Sequence, residues 1–177
     1  SVEYPANFTL VAAMNPCPCG YYNHPTKECT CAPGAVHRYM GRISGPLLDR
    51  IDLHIEVTPV APGELSSAAP GERSAVIRER VIRARALQAE RFRGIEGLYT
   101  NAMMNSAMLR AFCPLDGAAE ALLMRAMERL GLSARAYDRI LKVARTIADL
   151  AGEELLAAPH VAEAINYRSL DRESWGR

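Results

Sequence analysis

The chain has 177 residues, 49% of them hydrophobic, which suffices to bury a core in one or two small domains. Its 21 basic and 20 acidic residues leave a net charge of +1, which excludes a strongly basic nucleic-acid binder and confines any DNA contact to a local patch or to other parts of an assembly. No apolar run is long enough to span a membrane, and the first residues lack the regions of a signal peptide, so a cytoplasmic protein is expected.

In chain order, Phe8 to Met14 is a short, nearly continuous apolar run that predicts a buried central strand. Asp52 to Val57 alternates polar and apolar residues and predicts a second strand. Two strands do not make a stable sheet alone, so the expected sheet is incomplete and the chain reads as a fragment. Asn15 stands at the end of the first run, where ligands bind in open α/β sheets, although Asn before Pro is equally an ordinary turn former.

Between the strands lies a segment rich in Gly, Pro and Cys. Cys17, Cys19, Cys29 and Cys31 form two C-x-C pairs nine residues apart, while Cys113 stands alone. Four thiolates complete a tetrahedral zinc shell, and a site without an open position is structural. His24 or His37 could replace one thiolate, and disulfides or free thiols are the alternatives. A short helix follows through Val36 to Ile43, and Pro46 opens a further turn to Arg50.

A loop rich in Pro, Gly, Ser and Ala, Pro59 to Gly71, then marks a domain boundary. Glu72 to Phe92 predicts a long charged helix whose arginines fall nearly all round, a solvated surface more than a DNA-reading stripe. Glu79 and Arg83 are spaced for a pair across one turn. A short helix near Asn105 to Phe112 precedes three cleaner ones. Asp116 caps the first, which ends at Gly131, and Ser133 caps the second, which ends at Gly152. Pro159 opens the last, and the four together predict a small bundle.

Among the 19 arginines, Arg50 lies between Asp49 and Asp52 and could be ion-paired on the surface. Arg135 falls in the first turn of its helix, a poor place for a cation unless an anion such as phosphate relieves it. Arg42, Arg139 and Arg145 read as members of a surface charge lattice. No G-x-x-x-x-G-K-[ST] loop is present, since neither Lys27 nor Lys142 follows a glycine, and no apolar strand ends in an Asp-Glu pair.

The run from Ala13 to Gly20 (AMNPCPCG), with Ser44 to His54 (SGPLLDRIDLH) and Leu132 to Leu150 (LSARAYDRILKVARTIADL), resembles the magnesium-chelatase-like AAA+ ATPases of the competence group, the ComM/YifB family. The resemblance spans roughly residues 7–171 and implies a role for each matching position. Asn15 matches the sensor-1 residue that orients the attacking water. Arg50 matches the arginine finger that reaches a neighbouring subunit's ATP, and Arg135 the sensor-2 arginine of the helical lid.

The implied fold is mainly α with a small α/β remnant: residues 1–58 as the end of an AAA+ core with a zinc-knuckle-like insertion, 59–104 as linker and long helix, and 105–171 as a four-helix lid. ATP and magnesium would serve the full-length protein, which would form a ring, a hexamer by expectation, and act on DNA in branch migration. The fragment alone should be inactive. The alternatives are a magnesium-chelatase ATPase subunit, in which such a cysteine insertion is not expected, and a zinc-stabilised helical interaction module without a nucleotide role.

Overall fold

The computed structural model describes residues 2, 6, 8–60, 63 and 71–168. They fall into two compact units divided between Arg42 and Ile43. Much of the expected linker, and residues 169–171 of the expected lid, lie outside the described residues.

The first unit holds the cysteine-rich loop and one short helix, α1 (Ala35–Met40). The apolar run before it is not a strand: Phe8 is 75% exposed and Val11 89%. In the second unit Asp52 to Val57 is likewise irregular, with Ile55 and Val57 facing solvent. Both strand expectations are therefore corrected. A strand exists only through its ladder, and apolar patterning supplies side chains for a sheet but no hydrogen-bonding neighbour. Among the described residues the one extended pairing is an isolated parallel bridge between Leu115 and Leu156.

The second unit is helical. A single turn, α2 (Gly45–Leu48), is followed by α3 (Ser74–Arg91), a 3₁₀ turn (Asn101–Met103), α4 (Ser106–Phe112), α5 (Gly117–Leu130), α6 (Ala134–Ala151) and α7 (Ala158–Asn166). The helix ends follow local chemistry. Asp116 Oδ1 accepts from the Ala119 N–H at 2.7 Å and Ser133 Oγ from the Ala136 N–H at 3.1 Å, each meeting a donor that a first turn leaves without a partner. Gly131 and Gly152 close α5 and α6 with φ of 60° and 80°, a left-handed conformation that costs a Cβ-bearing residue energy. Beyond them the N–H groups of Leu132 and Glu153 return to Met127 and Ala148 carbonyls at 3.0 and 2.9 Å.

Helix α6 is the centre of the unit and packs against α3, α4, the 3₁₀ turn and α7, while α7 also packs on α5. Ile140, Leu141 and Ala144 of α6 join Leu109, Leu123, Leu156, Val161 and Phe92 in the core. At about 1.5–3 kcal/mol for each large apolar side chain removed from water, this cluster supplies most of the unit's stabilisation.

Helix α3 is buried only at Ala84 and Gln88, near its C-terminal end. The Glu79–Arg83 pair is absent; Arg80 instead reaches back to both oxygens of Glu72 at 2.9 Å. No helix among the described residues is long and apolar enough to cross a membrane.

Candidate functional site

The cysteine-rich loop brings its four thiols together. The Sγ atoms of Cys17, Cys19, Cys29 and Cys31 all lie within 4.8 Å of one another. Cys17 and Cys19 are 3.3 Å apart, Cys19 and Cys29 3.5 Å, and Cys17 and Cys29 3.8 Å. A disulfide needs about 2.05 Å, whereas four sulfurs around zinc at about 2.3 Å stand about 3.8 Å from each other. The spacing suits a tetrahedral cation and not a covalent bridge, and all four are free thiols.

Local turns make this cluster. The Gly20 N–H bonds to the Cys17 carbonyl at 3.0 Å, and the Tyr22 N–H points at Cys17 Sγ at 3.3 Å, a contact suited to a thiolate. Cys19 is drawn down to about 5, first by a backbone hydrogen bond with Tyr21. Cys31 is pushed up to about 12: its backbone contact with Cys19 lowers it, but burial and the three neighbouring sulfurs outweigh that. Thiols this close resist joint ionisation, and a divalent cation among them removes the repulsion. Neither histidine joins the set; His24 Nδ1 accepts the Thr26 and Lys27 N–H groups at 3.2 and 3.1 Å and so builds the turn.

In the second unit, the segment around Arg50 is fixed by charge pairs across more than 80 residues of sequence. Asp49 accepts from Ser133 Oγ at 2.8 Å and lies 3.8 Å from Arg135 Nη1 and 3.9 Å from Arg168 Nη2. Asp52 accepts from Arg139. Arg135 and Arg139 are one turn apart on α6, so the two acids meet one face of that helix. From the end of α7, the Tyr167 carbonyl accepts from the His54 N–H at 2.7 Å, and Arg168 donates to the Ile51 carbonyl. The His54 ring, 5% exposed, donates Nε2–H to the Leu48 carbonyl at 3.2 Å.

This arrangement changes two expectations. Both acids flanking Arg50 are taken by arginines of α6 and by Arg168 beyond α7, and among the described residues no carboxylate pairs with Arg50. Its guanidinium is exposed and, among the described residues, donates only to the Pro46 carbonyl of its own turn, at 2.7 Å. Arg135 does sit beside the positive end of α6, but Asp49 supplies the compensating anion. Arg135 thus pairs with the residue that precedes Arg50. Asn15 belongs to the first unit, where it is exposed two residues before Cys17.

Arg145 is not part of a surface lattice. It is 2% exposed, its Nε donates to Asp149 at 3.1 Å, and its other nitrogens reach the Glu153 and Glu154 carbonyls. Asp149 also accepts from both terminal nitrogens of Arg91, at 2.8 and 2.5 Å, and from Asn101 at 2.8 Å. Burial raises the Asp149 carboxyl, but the Arg91 and Asn101 hydrogen bonds and the two positive charges hold it below the ordinary carboxylate value. Arg139 does pair near the surface, with Asp52.

Residues 71–168, more than half of the chain, match the family model described as magnesium chelatase, subunit ChlI C-terminal, and residues 1–65 match that of magnesium chelatase, subunit ChlI. The chain is 45% identical to the competence protein ComM of Haemophilus influenzae and 44% identical to the uncharacterized protein YifB of Escherichia coli, each over 97% of this chain. An uncharacterized protein of Mycobacterium bovis is 42% identical over 93% of it. The chain spans about a third of the length of these relatives (32%, 33% and 32%). It belongs to the magnesium chelatase ChlI family.

Proposed function

We propose that this member of the family is the downstream portion of a ring-forming AAA+ ATPase that couples ATP hydrolysis to DNA remodelling. The supporting observation is the state of Arg50. Its two acidic neighbours are neutralised within the chain's own second unit, so its charge is left available to an anion from outside. Phosphoryl transfer is largely a matter of positioning and charge stabilisation, and an arginine supplied from a neighbouring subunit is worth about 10³ to 10⁵ in rate. Arg50 would act in a neighbour's site, whereas Asn15 and Arg135 would act in the subunit's own, orienting water and reading phosphate.

ATP and magnesium would be held in large part by the phosphate loop and acidic pair that this sequence lacks, in a longer protein of the relatives' length. The partners would be identical subunits, arranged as a hexamer. The resemblance to the ComM/YifB group, one of whose members is named a competence protein, carries the proposal of DNA as substrate and branch migration as the work performed. Cys17, Cys19, Cys29 and Cys31 would hold one zinc ion. With four protein ligands and no open position, that ion would cross-link the loop and leave catalysis to other groups.

The test is Arg50→Ala in the full-length protein. ATP binding should persist while hydrolysis falls by about 10³ or more. Unchanged hydrolysis would reduce Arg50 to a surface cation, whereas a full-length protein that neither binds nor hydrolyses ATP would favour an interaction module without a nucleotide role.

A further inference from the structure

We infer that Asp49 is a positioning residue that holds Arg135 until a phosphate claims that arginine, and so links the placement of Arg50 to nucleotide occupancy of the same subunit. The inference rests on the reading of Arg135 as a phosphate-binding arginine, and it assigns a role to a residue that the resemblance leaves without one.

The geometry divides Asp49's partners into two kinds. Oδ1 accepts from Ser133 Oγ, the N-cap of α6, at 2.8 Å and lies 3.9 Å from Arg168, which is 1% exposed. Oδ2 faces Arg135, whose side chain is 64% exposed, at 3.8 Å. Ser133 is fixed as the cap of α6, and Arg168 is buried just beyond α7. Arg135 is the partner that can leave without unpacking the unit.

A phosphate approaching the first turn of α6 meets the helix's positive end already occupied by a carboxylate. Phosphate and Asp49 therefore compete for Arg135 and repel each other. Asp49 is bonded directly to Arg50, and its N–H closes the α2 turn onto the Gly45 carbonyl at 2.8 Å, next to the Pro46 carbonyl that holds Arg50. Asp49 and Arg50 are consecutive, so a backbone shift that follows release of Arg135 is passed to Arg50 without an intervening residue. Such coupling is reciprocal, so weakening the Asp49–Arg135 contact must strengthen phosphate binding at Arg135.

The test uses the full-length protein and calorimetric titration with AMP-PNP and ADP, which separates terminal-phosphate recognition from the rest of nucleotide binding. Asp49→Asn keeps an acceptor for Ser133 and removes the charge. It should raise the preference for AMP-PNP over ADP by about two- to fivefold, the range of one exposed charge pair. Asp49→Glu should return the preference toward wild type, and in an Arg135→Ala background Asp49→Asn should have a smaller effect, since only direct charge repulsion is then relieved. If Asp49→Asn does not fold, Asp49→Ser makes the same comparison.

An unaltered preference in the Asp49 variant, with a lowered one in Arg135→Ala, would overturn the Asp49 role and leave Arg135 as a phosphate reader. An unaltered preference in Arg135→Ala itself would remove both.

Discussion

Asp149→Asn tests whether the second unit is held by its buried charge network as well as its apolar core. The substitution keeps the side chain's shape and one acceptor oxygen but removes the negative charge. It leaves Arg145, 2% exposed, and Arg91, 15% exposed, facing each other without a counter-ion. Removing one partner of a buried pair costs about 3–5 kcal/mol, because the remaining charge keeps its desolvation penalty. For a helical unit of this size the midpoint of thermal unfolding should fall by on the order of 15–30 °C. Circular dichroism melts and urea titrations at pH 7 measure this, with the urea slope unchanged. The pH dependence has a defined sign. A carboxyl held below its unfolded value stabilises the protein above that value, and the contribution is lost as pH falls through the folded value. The gap between wild type and Asp149→Asn should therefore narrow in acid, below about pH 4. A loss under about 1 kcal/mol at pH 7 would refute the reasoning and place the network in solvent-screened surroundings.

Protein purified in reducing buffer without added zinc should carry about one equivalent of the metal on the four-thiol cluster; less than half an equivalent in folded protein would contradict the assignment. Asp116→Ala should destabilise the second unit by about 1 kcal/mol in a denaturant titration, through the N–H of Ala119 that it caps. The 177-residue chain alone should show no ATP hydrolysis above background, since it contains no phosphate-binding loop. Sustained turnover by the isolated chain would place that loop elsewhere.

The helical half of the fold was legible because its signals are local. Asp116, Ser133, Gly131, Gly152 and Pro159 each act within one turn, and the structure caps helices at Asp116 and Ser133, stops them at Gly131 and Gly152, and puts Pro159 in a first turn. The thiol cluster was legible for the same reason, all four cysteines lying within 15 residues. What failed needed partners far away in sequence. The runs at Phe8–Met14 and Asp52–Val57 have strand-like composition, but pairing depends on a neighbour and not on composition. Arg145 looked like a surface charge because arginine is rarely buried, yet the aspartate one turn on is shared with Arg91 and Asn101, 58 and 48 residues away. The pairing of Asp49 with Ser133 spans 84 residues, and periodicity within either segment gives no register between them. One signal was available: an arginine in the first turn of α6 asks for an anion, and the nearest one in the folded chain proved to be Asp49.

The most direct test of the central claim, that Arg50 serves a neighbouring subunit's nucleotide, is subunit mixing in the full-length protein. Arg50→Ala subunits retain a phosphate loop and lack the finger, while phosphate-loop variants retain the finger and bind no ATP. Each should be inactive alone, and mixtures should recover part of the wild-type hydrolysis, in a bell-shaped dependence on mixing ratio. Two inactive variants whose mixture stays inactive, although native electrophoresis shows shared rings, would contradict a finger acting between subunits.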